Sequence, residues 1–291
     1  MQYSVSTYSF TALTARGEMT QKDCIQKAKE MGFDAIEFVG IHPHDGSGEL
    51  EYAKMLKAEC EKAGLAVSNY TVGADFLSGS EGNLEAEIER VCREVDIAEA
   101  VGAKSMRHDA TIGYPQDKRG FRGFDEALPI LVKGCRAVTE YAKTKGVRTM
   151  VENHGYFCQD SERVEKLVNA VANDNFGLIC DMGNFLCADE APEKAYARVA
   201  PYAFYAHAKD FLWKPGTEGF PGQGFFPTRA GNYLRGTVIG HGVVPVKQCL
   251  QILKNSGYNG ALAIEFEGME PALEAIAVGL ENLKRMEAEL A

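Results

Sequence analysis

The segment "VENHG", residues 151–155, ends an apolar run of Thr149, Met150 and Val151 in a carboxylate, an amide and an imidazole. A buried strand gains nothing from ionisable groups unless something at its end needs them. The same event recurs three more times. "CDMGN" closes an apolar run in Asp181 and Asn184, "HAKD" carries His207, Lys209 and Asp210, and "IEFEG" carries Glu265 and Glu267. Earlier, "SMRHDA" brings Arg107, His108 and Asp109. Three carboxylates gathered without a counter-charge repel, and some are forced to hold protons. A divalent cation relieves this. Three carboxylate oxygens with one imidazole nitrogen suit Mn²⁺ and also accept Mg²⁺, Co²⁺, Fe²⁺ or Zn²⁺. The expected ligands are Glu152, Asp181, His207 and Glu265. Each residue alone has a plain reading as a helix cap or a structural hydrogen bond, but four at equivalent points of successive strands do not.

Such convergence needs a scaffold that aims strand ends at one place. Helical segments closed by glycine alternate with runs rich in Val, Ile, Phe, Tyr and Met, as in "AKEMGFDAIEFVG" and "AKTKGVRTMVENHG". Glycine after a helix is the usual left-handed stop, and the runs that follow suit strands buried on both faces. Strands are expected at about 3–9, 35–40, 66–72, 105–110, 148–153, 176–181, 203–208 and 261–266. Residues 84–101 carry Leu84, Ile88, Val91, Val95 and Ala98 at helical spacing, and Thr20 with Asp23 forms a capping-box pair. Strict alternation over a length near the usual ~250 residues predicts an α/β fold, a (β/α)₈ TIM barrel, as one domain over 1–291. An open doubly wound sheet is the rival, but no Gly-x-Gly-x-x-Gly turn follows the first strand.

One stretch breaks the rhythm. Residues 211–242, after the seventh strand, are rich in glycine and proline and carry Lys214, Arg229, Arg235, Phe211, Trp213, Phe220 and Tyr233. A loop of that length on the βα side is usually functional. It is expected to close over the site as a lid, or to contact another copy of the chain in a homo-oligomer. Aromatic faces stack on sugar rings and arginines hold carboxylates or phosphates, so Trp213, Arg229 and Arg235 are candidate substrate contacts.

Composition removes other classes. The chain of 291 residues is 45% hydrophobic and 25% charged, ordinary for a globular protein. No apolar stretch approaches the ~20 residues of a membrane span, and the N-terminus reads as no signal peptide. The eight cysteines stand singly, as thiols do in a reducing cytoplasm. The net charge of −10 disfavours a nucleic-acid partner.

The four motifs together resemble the xylose isomerase-like barrel superfamily of sugar isomerases and epimerases, with the ketose 3-epimerases the nearest in pattern. The likeness spans nearly the whole chain, and "IGHGVVPVKQCLQILKNSGYNGALAIEFEG" is especially typical. The resemblance implies metal ligation by Glu152, Asp181, His207 and Glu265. It also implies a small sugar substrate and an isomerase or epimerase working through an enediolate, with Glu152 and Glu265 as acid and base. The same superfamily holds apurinic endonucleases with three zinc ions. Here Asn184, Ile239 and Asn69 stand where their further ligands would be, so that reading falls away. His108, His154 and His241 then remain as polar contacts to substrate. Dehydration or elimination beside a ketone, for instance on a keto-glycoside, shares the first proton abstraction and stays open. A non-catalytic sugar-binding protein is the rival of another class, and it has no use for two glutamates on one metal.

Overall fold

The computed structural model describes residues 1–290. Strands β1 (Gln2–Ser6), β2 (Ala35–Val39), β3 (Ala66–Val72), β4 (Ser105–His108), β5 (Arg148–Glu152), β6 (Phe176–Asp181), β7 (Ala203–Ala208) and β11 (Ala261–Ile264) close into a parallel barrel in the order β1-β11-β7-β6-β5-β4-β3-β2. A helix follows each strand: α1 (Gln21–Glu30), α2 (Glu49–Ala63), α3 (Leu84–Val101), α4 (Phe124–Thr144), α5 (Ser161–Val171), α6 (Pro192–Val199), α7 (Val246–Asn255) and α8 (Ala272–Ala288). The chain is thus the α/β barrel its alternation predicts. The expected first strand is shorter, because Thr7–Phe10 turns into a 3₁₀ helix under a Ser6 cap.

Local chemistry explains the helix ends. Thr20 and Asp23 form the reciprocal capping box of α1, and α2 and α3 stop on Gly64 (φ 64°) and Gly102 (φ 89°). The amphipathic face of α3 buries Val91, Val95 and Ala98 completely against the outer surface of the barrel. Inside the barrel, Met150, Ile179, Tyr205, Ala261 and Ala263 pack as a separate apolar cluster. Side chains alternate along a strand. The residues two positions beyond Met150, Ile179, Tyr205 and Ala263 are therefore the next layer towards the C-terminal rim: Glu152, Asp181, His207 and Glu265. The apolar plug is the floor on which the ionisable layer stands.

The segment after β7 is a three-stranded antiparallel sheet, β8 (Asp210–Lys214), β9 (Phe226–Pro227) and β10 (Tyr233–Thr237), in the order β8-β10-β9. This corrects the picture of a loose loop over 211–242. The sheet is tied down at several places. Thr228 Oγ1 and Asn232 Nδ2 donate to Asp189, Arg229 bonds Asp160 and the Tyr156 carbonyl, and Gly236 bridges Gly268. The Asp210 carboxylate accepts from the N–H groups of Gly240, Gly242 and Val244, which fixes the return to α7. A Cβ on Gly242 would fall 2.2 Å from Asp210 Oδ1, so only glycine fits that turn.

Candidate active site

Ligand atoms of Glu152, Asp181, His207 and Glu265 all lie within 4.8 Å of one another, and all four residues are buried. His207 Nδ1 stands 3.1 Å from Glu152 Oε1 and 3.8 Å from both Asp181 Oδ2 and Glu265 Oε2. Its other nitrogen, Nε2, lies 3.0 Å from Glu37 Oε1. Glu37 thus fixes the ring and aims Nδ1 at the carboxylates, the usual arrangement behind a metal-bound histidine. Asn69 in turn donates to Glu37 and Ser105 to Asn69, at 2.9 and 2.7 Å.

One feature of the donor set suits a bound cation. Asp181 Oδ2 is buried and has no hydrogen-bond partner, although Asp181 Oδ1 accepts two backbone N–H groups, from Gly183 and Asn184. A buried carboxylate oxygen without a partner is costly, and this one faces the imidazole and the other carboxylates. Three oxygens and one nitrogen fit a divalent ion of hard to borderline character. Metal-free, the protein balances the cluster with its own cations. Burial works against a charge on His207, but Glu37, Glu265 and Glu152 outweigh it and hold the imidazole well above its usual pKa. Burial raises Asp181 to about 7, with Lys209 opposing and the neighbouring glutamates assisting.

The two glutamates have different neighbours. Glu152 Oε2 meets the Arg107 guanidinium at 2.7 Å, and Oε1 meets His207 and, at 3.3 Å, the Asn184 amide. Burial alone would raise Glu152, yet Arg107 and His207 hold it well below the usual carboxylate range. Arg107 also pairs with Asp109 at 2.9 Å, and Asp109 Oδ1 lies 3.1 Å from His154 Nδ1. Desolvation opposes a charge on His154, and Asp109 overcomes it, so the imidazole is raised. Glu265 instead faces Lys209 Nζ at 2.5 Å, and the ammonium also approaches Glu267 at 3.5 Å and Asn184 Oδ1 at 3.2 Å. Desolvation opposes the charge on Lys209, while Glu265, Glu267 and Asp181 raise it well above its usual value. The Tyr8 ring lies 5.9 Å from Lys209 Nζ.

The structure sorts the expected contacts. His154 stands at the rim beside Glu152, with 47% of its side chain exposed. His108 does not reach the site, which corrects its assignment as a substrate contact. It is fully buried, its ring edge-on to Phe76 at 5.7 Å, and burial depresses it to about 4. The cause is strand parity. On β4 it is Arg107 that faces the barrel interior, so its neighbour His108 must face the helix layer. Arg229 is engaged with Asp160 at 3.0 Å, and Arg235 with Glu270 at 3.4 Å while lying over Phe225. Both arginines hold the sheet to the barrel. Trp213 is 42% exposed opposite Leu234, and His241 is exposed on the turn pinned by Asp210. Neither makes a polar contact with the cluster. Glu37 was not singled out from the sequence, and Arg107 and Lys209 were placed at strand ends without a role. A lone glutamate inside "AIEFV" was the available signal for the first, and strand parity for the other two.

The model of the xylose isomerase-like TIM barrel family matches residues 25–286, and the chain belongs to that family. It is 23% identical over 274 residues to an inosose dehydratase of Yersinia enterocolitica, covering 88% of this chain and 85% of the relative. It is 25% identical over 288 residues to the rhizopine catabolism protein MocC of Rhizobium meliloti, covering 94% and 83%. Among solved structures, L-ribulose 3-epimerase superposes with a TM-score of 0.75 at 14% identity over 100% of this chain and 96% of that one. The zinc-bound IOLI protein gives 0.76 at 17% over 100% and 99%. The 3-keto-D-glucoside 4-epimerase of E. coli gives 0.68 at 16% over 91% and 94%. These likenesses in structure show the fold.

Proposed function

We propose that this xylose isomerase-like enzyme removes the proton from the carbon next to a ketone in a polyhydroxylated substrate and then expels the hydroxyl one carbon further on, a dehydration. The observation that carries this reading is the unequal setting of the two glutamates. Both oxygens of Glu152 are engaged by Arg107, His207 and Asn184, which suits a fixed ligand and not a base. Glu265 is the carboxylate with an ammonium partner and the somewhat greater exposure, 8% against 4%. The named activity of the dehydratase relative supports the same direction.

Glu152, Asp181, His207 and Glu265 would hold the divalent cation, which when bound supplies positive charge to the ketone oxygen and so acidifies the adjacent C–H. Glu265 accepts that proton, and the C–H electrons move into the carbonyl. The charge that grows there is matched by Lys209, already fixed at this edge. On their return the electrons form a C=C bond as the neighbouring C–O bond breaks. The departing oxygen takes a proton from the His154 imidazolium, which Asp109 keeps charged, and leaves as water. His154 ends neutral and Glu265 protonated, and solvent exchange restores both.

Epimerisation at the same carbon is the second reading. It is favoured by the closeness of both glutamates to His207 Nδ1, at 3.1 and 3.8 Å, and it needs Glu152 to exchange a proton. Incubation with keto-inositols and keto-hexoses in deuterium oxide separates the two. Dehydration gives a product lighter by one water with the ultraviolet absorbance of an enone. A product of unchanged formula carrying one deuterium assigns epimerisation, and neither water loss nor exchange with any keto-polyol refutes both.

A further inference from the structure

A cavity of about 760 Å³ opens on the β1–β2 side of the barrel mouth. Its walls are the first turns after β1 and β2, including Tyr8, Ala15, Met19, Val39, His42 and Pro43. It meets the active site at one side chain. Tyr8 lines the cavity, while its hydroxyl lies 3.5 Å from Glu267 and its ring 5.9 Å from Lys209 Nζ. A molecule with its reacting end at Glu265 and Lys209 reaches this space by passing Tyr8.

The lining says what fits. It contains no Asp, Glu, Lys or Arg, in sharp contrast to the charged centre next door. Apart from the His42 imidazole, its polar side chains are already engaged within the chain. Thr7 Oγ1 accepts from the Val39 N–H, and Thr11 and Thr14 donate to the carbonyls of Tyr8 and Thr11. Thr20 pairs with Asp23, Gln21 donates to Gly40 and accepts from His42, and His44 meets the Tyr52 hydroxyl. What remains for a ligand is methyl groups, the Met19 thioether, the Pro43 ring and the faces of Tyr8 and His42. The His42 ring lies against Gly40, where a Cβ would come within 2.8 Å of it. A second sugar would find few partners for its hydroxyls there, and a phosphate or carboxylate would find no lysine or arginine. The arginines nearest the mouth on the opposite side, Arg229 and Arg235, are held by Asp160 and Glu270.

We infer that this cavity receives an uncharged, largely apolar substituent, an aromatic aglycone in particular, carried by the same substrate whose keto-sugar ring reacts at Glu265. The inference rests on the proposed function for the reacting end, and on the cavity alone for the substituent. Its volume is that of an ordinary small-molecule pocket. Burying one phenyl ring there should improve kcat/KM on the order of 10- to 100-fold.

Two measurements keep the inference separate from the reaction. First, binding of phenyl β-D-glucopyranoside, which has no ketone, is followed by calorimetry. The wild type is compared with Ala15→Trp, which fills the cavity, and with Ala15→Glu, which places a charge in it. Position 15 is exposed, so both variants should fold. Binding by the wild type, tighter than that of glucose and lost in both variants, is the expected result. No binding, binding untouched by either variant, or preference for glucose 6-phosphate overturns the inference. Second, turnover of 3-keto-glucose, read as water loss or deuterium exchange, is compared with that of phenyl 3-keto-β-D-glucopyranoside, which keeps its ketone. The phenyl glycoside should be favoured in the wild type only, and the free sugar should react alike in all three proteins. Binding as expected with neither water loss nor exchange in either sugar would sink the proposed reaction and leave the cavity assignment standing.

Discussion

Glu152 and Glu265 occupy equivalent places on β5 and just beyond β11, yet their surroundings are opposite in kind. Glu152 sits in a closed clamp, with a guanidinium on one oxygen and an imidazole and an amide on the other. Glu265 has a single close cation, the Lys209 ammonium, and stands nearer the open side by Tyr8. A guanidinium holds a carboxylate in a fixed planar pair, whereas an ammonium is a point charge on a flexible stem. Two chemically identical residues thus meet different partners within about 3 Å, and the proposed division of tasks between them rests on that difference.

The largest expected effect comes from testing that division directly. Glu265→Gln should lower proton exchange and turnover by about 10²–10⁴-fold. Glu152→Gln should weaken metal retention but keep measurable exchange once the metal is in excess. If the glutamine at 152 abolishes exchange at saturating metal while the one at 265 spares it, the roles are reversed.

Next in size is the exchange of cations. Arg107→Met takes the guanidinium from the buried Glu152 and from the partly buried Asp109, and breaking a buried pair costs about 3–5 kcal/mol. Lys209→Met, which removes a point charge on a flexible stem rather than a planar paired group, should cost less stability and proportionately more kcat. Denaturant melts and steady-state kinetics of both variants check this, and equal ratios of the two losses would erase the comparison.

A third effect links metal to pH. The Asp181 carboxyl titrates at about 7 in the folded metal-free protein and near 3.9 when unfolded. The native state thus holds an extra proton between these values. That contribution to stability is fully present below the unfolded value and is lost as pH rises through about 7. Metal competes with the same proton. The gain in Tm on adding Mn²⁺ after chelator treatment should grow from pH 5 to pH 8, and a gain independent of pH would contradict the assignment.

The smallest effect belongs to His108. Because its ring faces Phe76 and the helix layer, His108→Phe should leave kcat/KM within about twofold and change only stability, whereas a large kinetic loss would return it to the site.

Much of this was legible in the chain. Glycine stops after amphipathic helices and short β-rich runs marked every barrel strand to within a few residues, because these signals are local. The four ligand positions were legible for the same reason: a carboxylate or imidazole ending an apolar strand is conspicuous wherever the strand goes. The excursion was not legible as a sheet. Its glycines and prolines read as loop, while its strands exist through pairing of residues 19 to 25 positions apart, as Tyr233 with Lys214 and Phe211 with Gly236. Its arginines looked like substrate contacts until Asp160 and Glu270, distant in sequence, took them.

What the sequence by itself determined is the alternation that makes a barrel and the identity of the ionisable groups at its strand ends, since periodicity and residue type act over a few positions. What only the tertiary structure decided is which neighbour each group meets. The His207–Glu37 pair joins residues 170 apart in the chain, and Arg107 rather than His108 faces the interior through the phase of a four-residue strand. Lys209 meets Glu265 rather than solvent because β7 and β11 lie side by side. Charge, protonation and reactivity depend on distances of about 3 Å, and those distances are set by barrel closure, which joins segments that no local pattern relates.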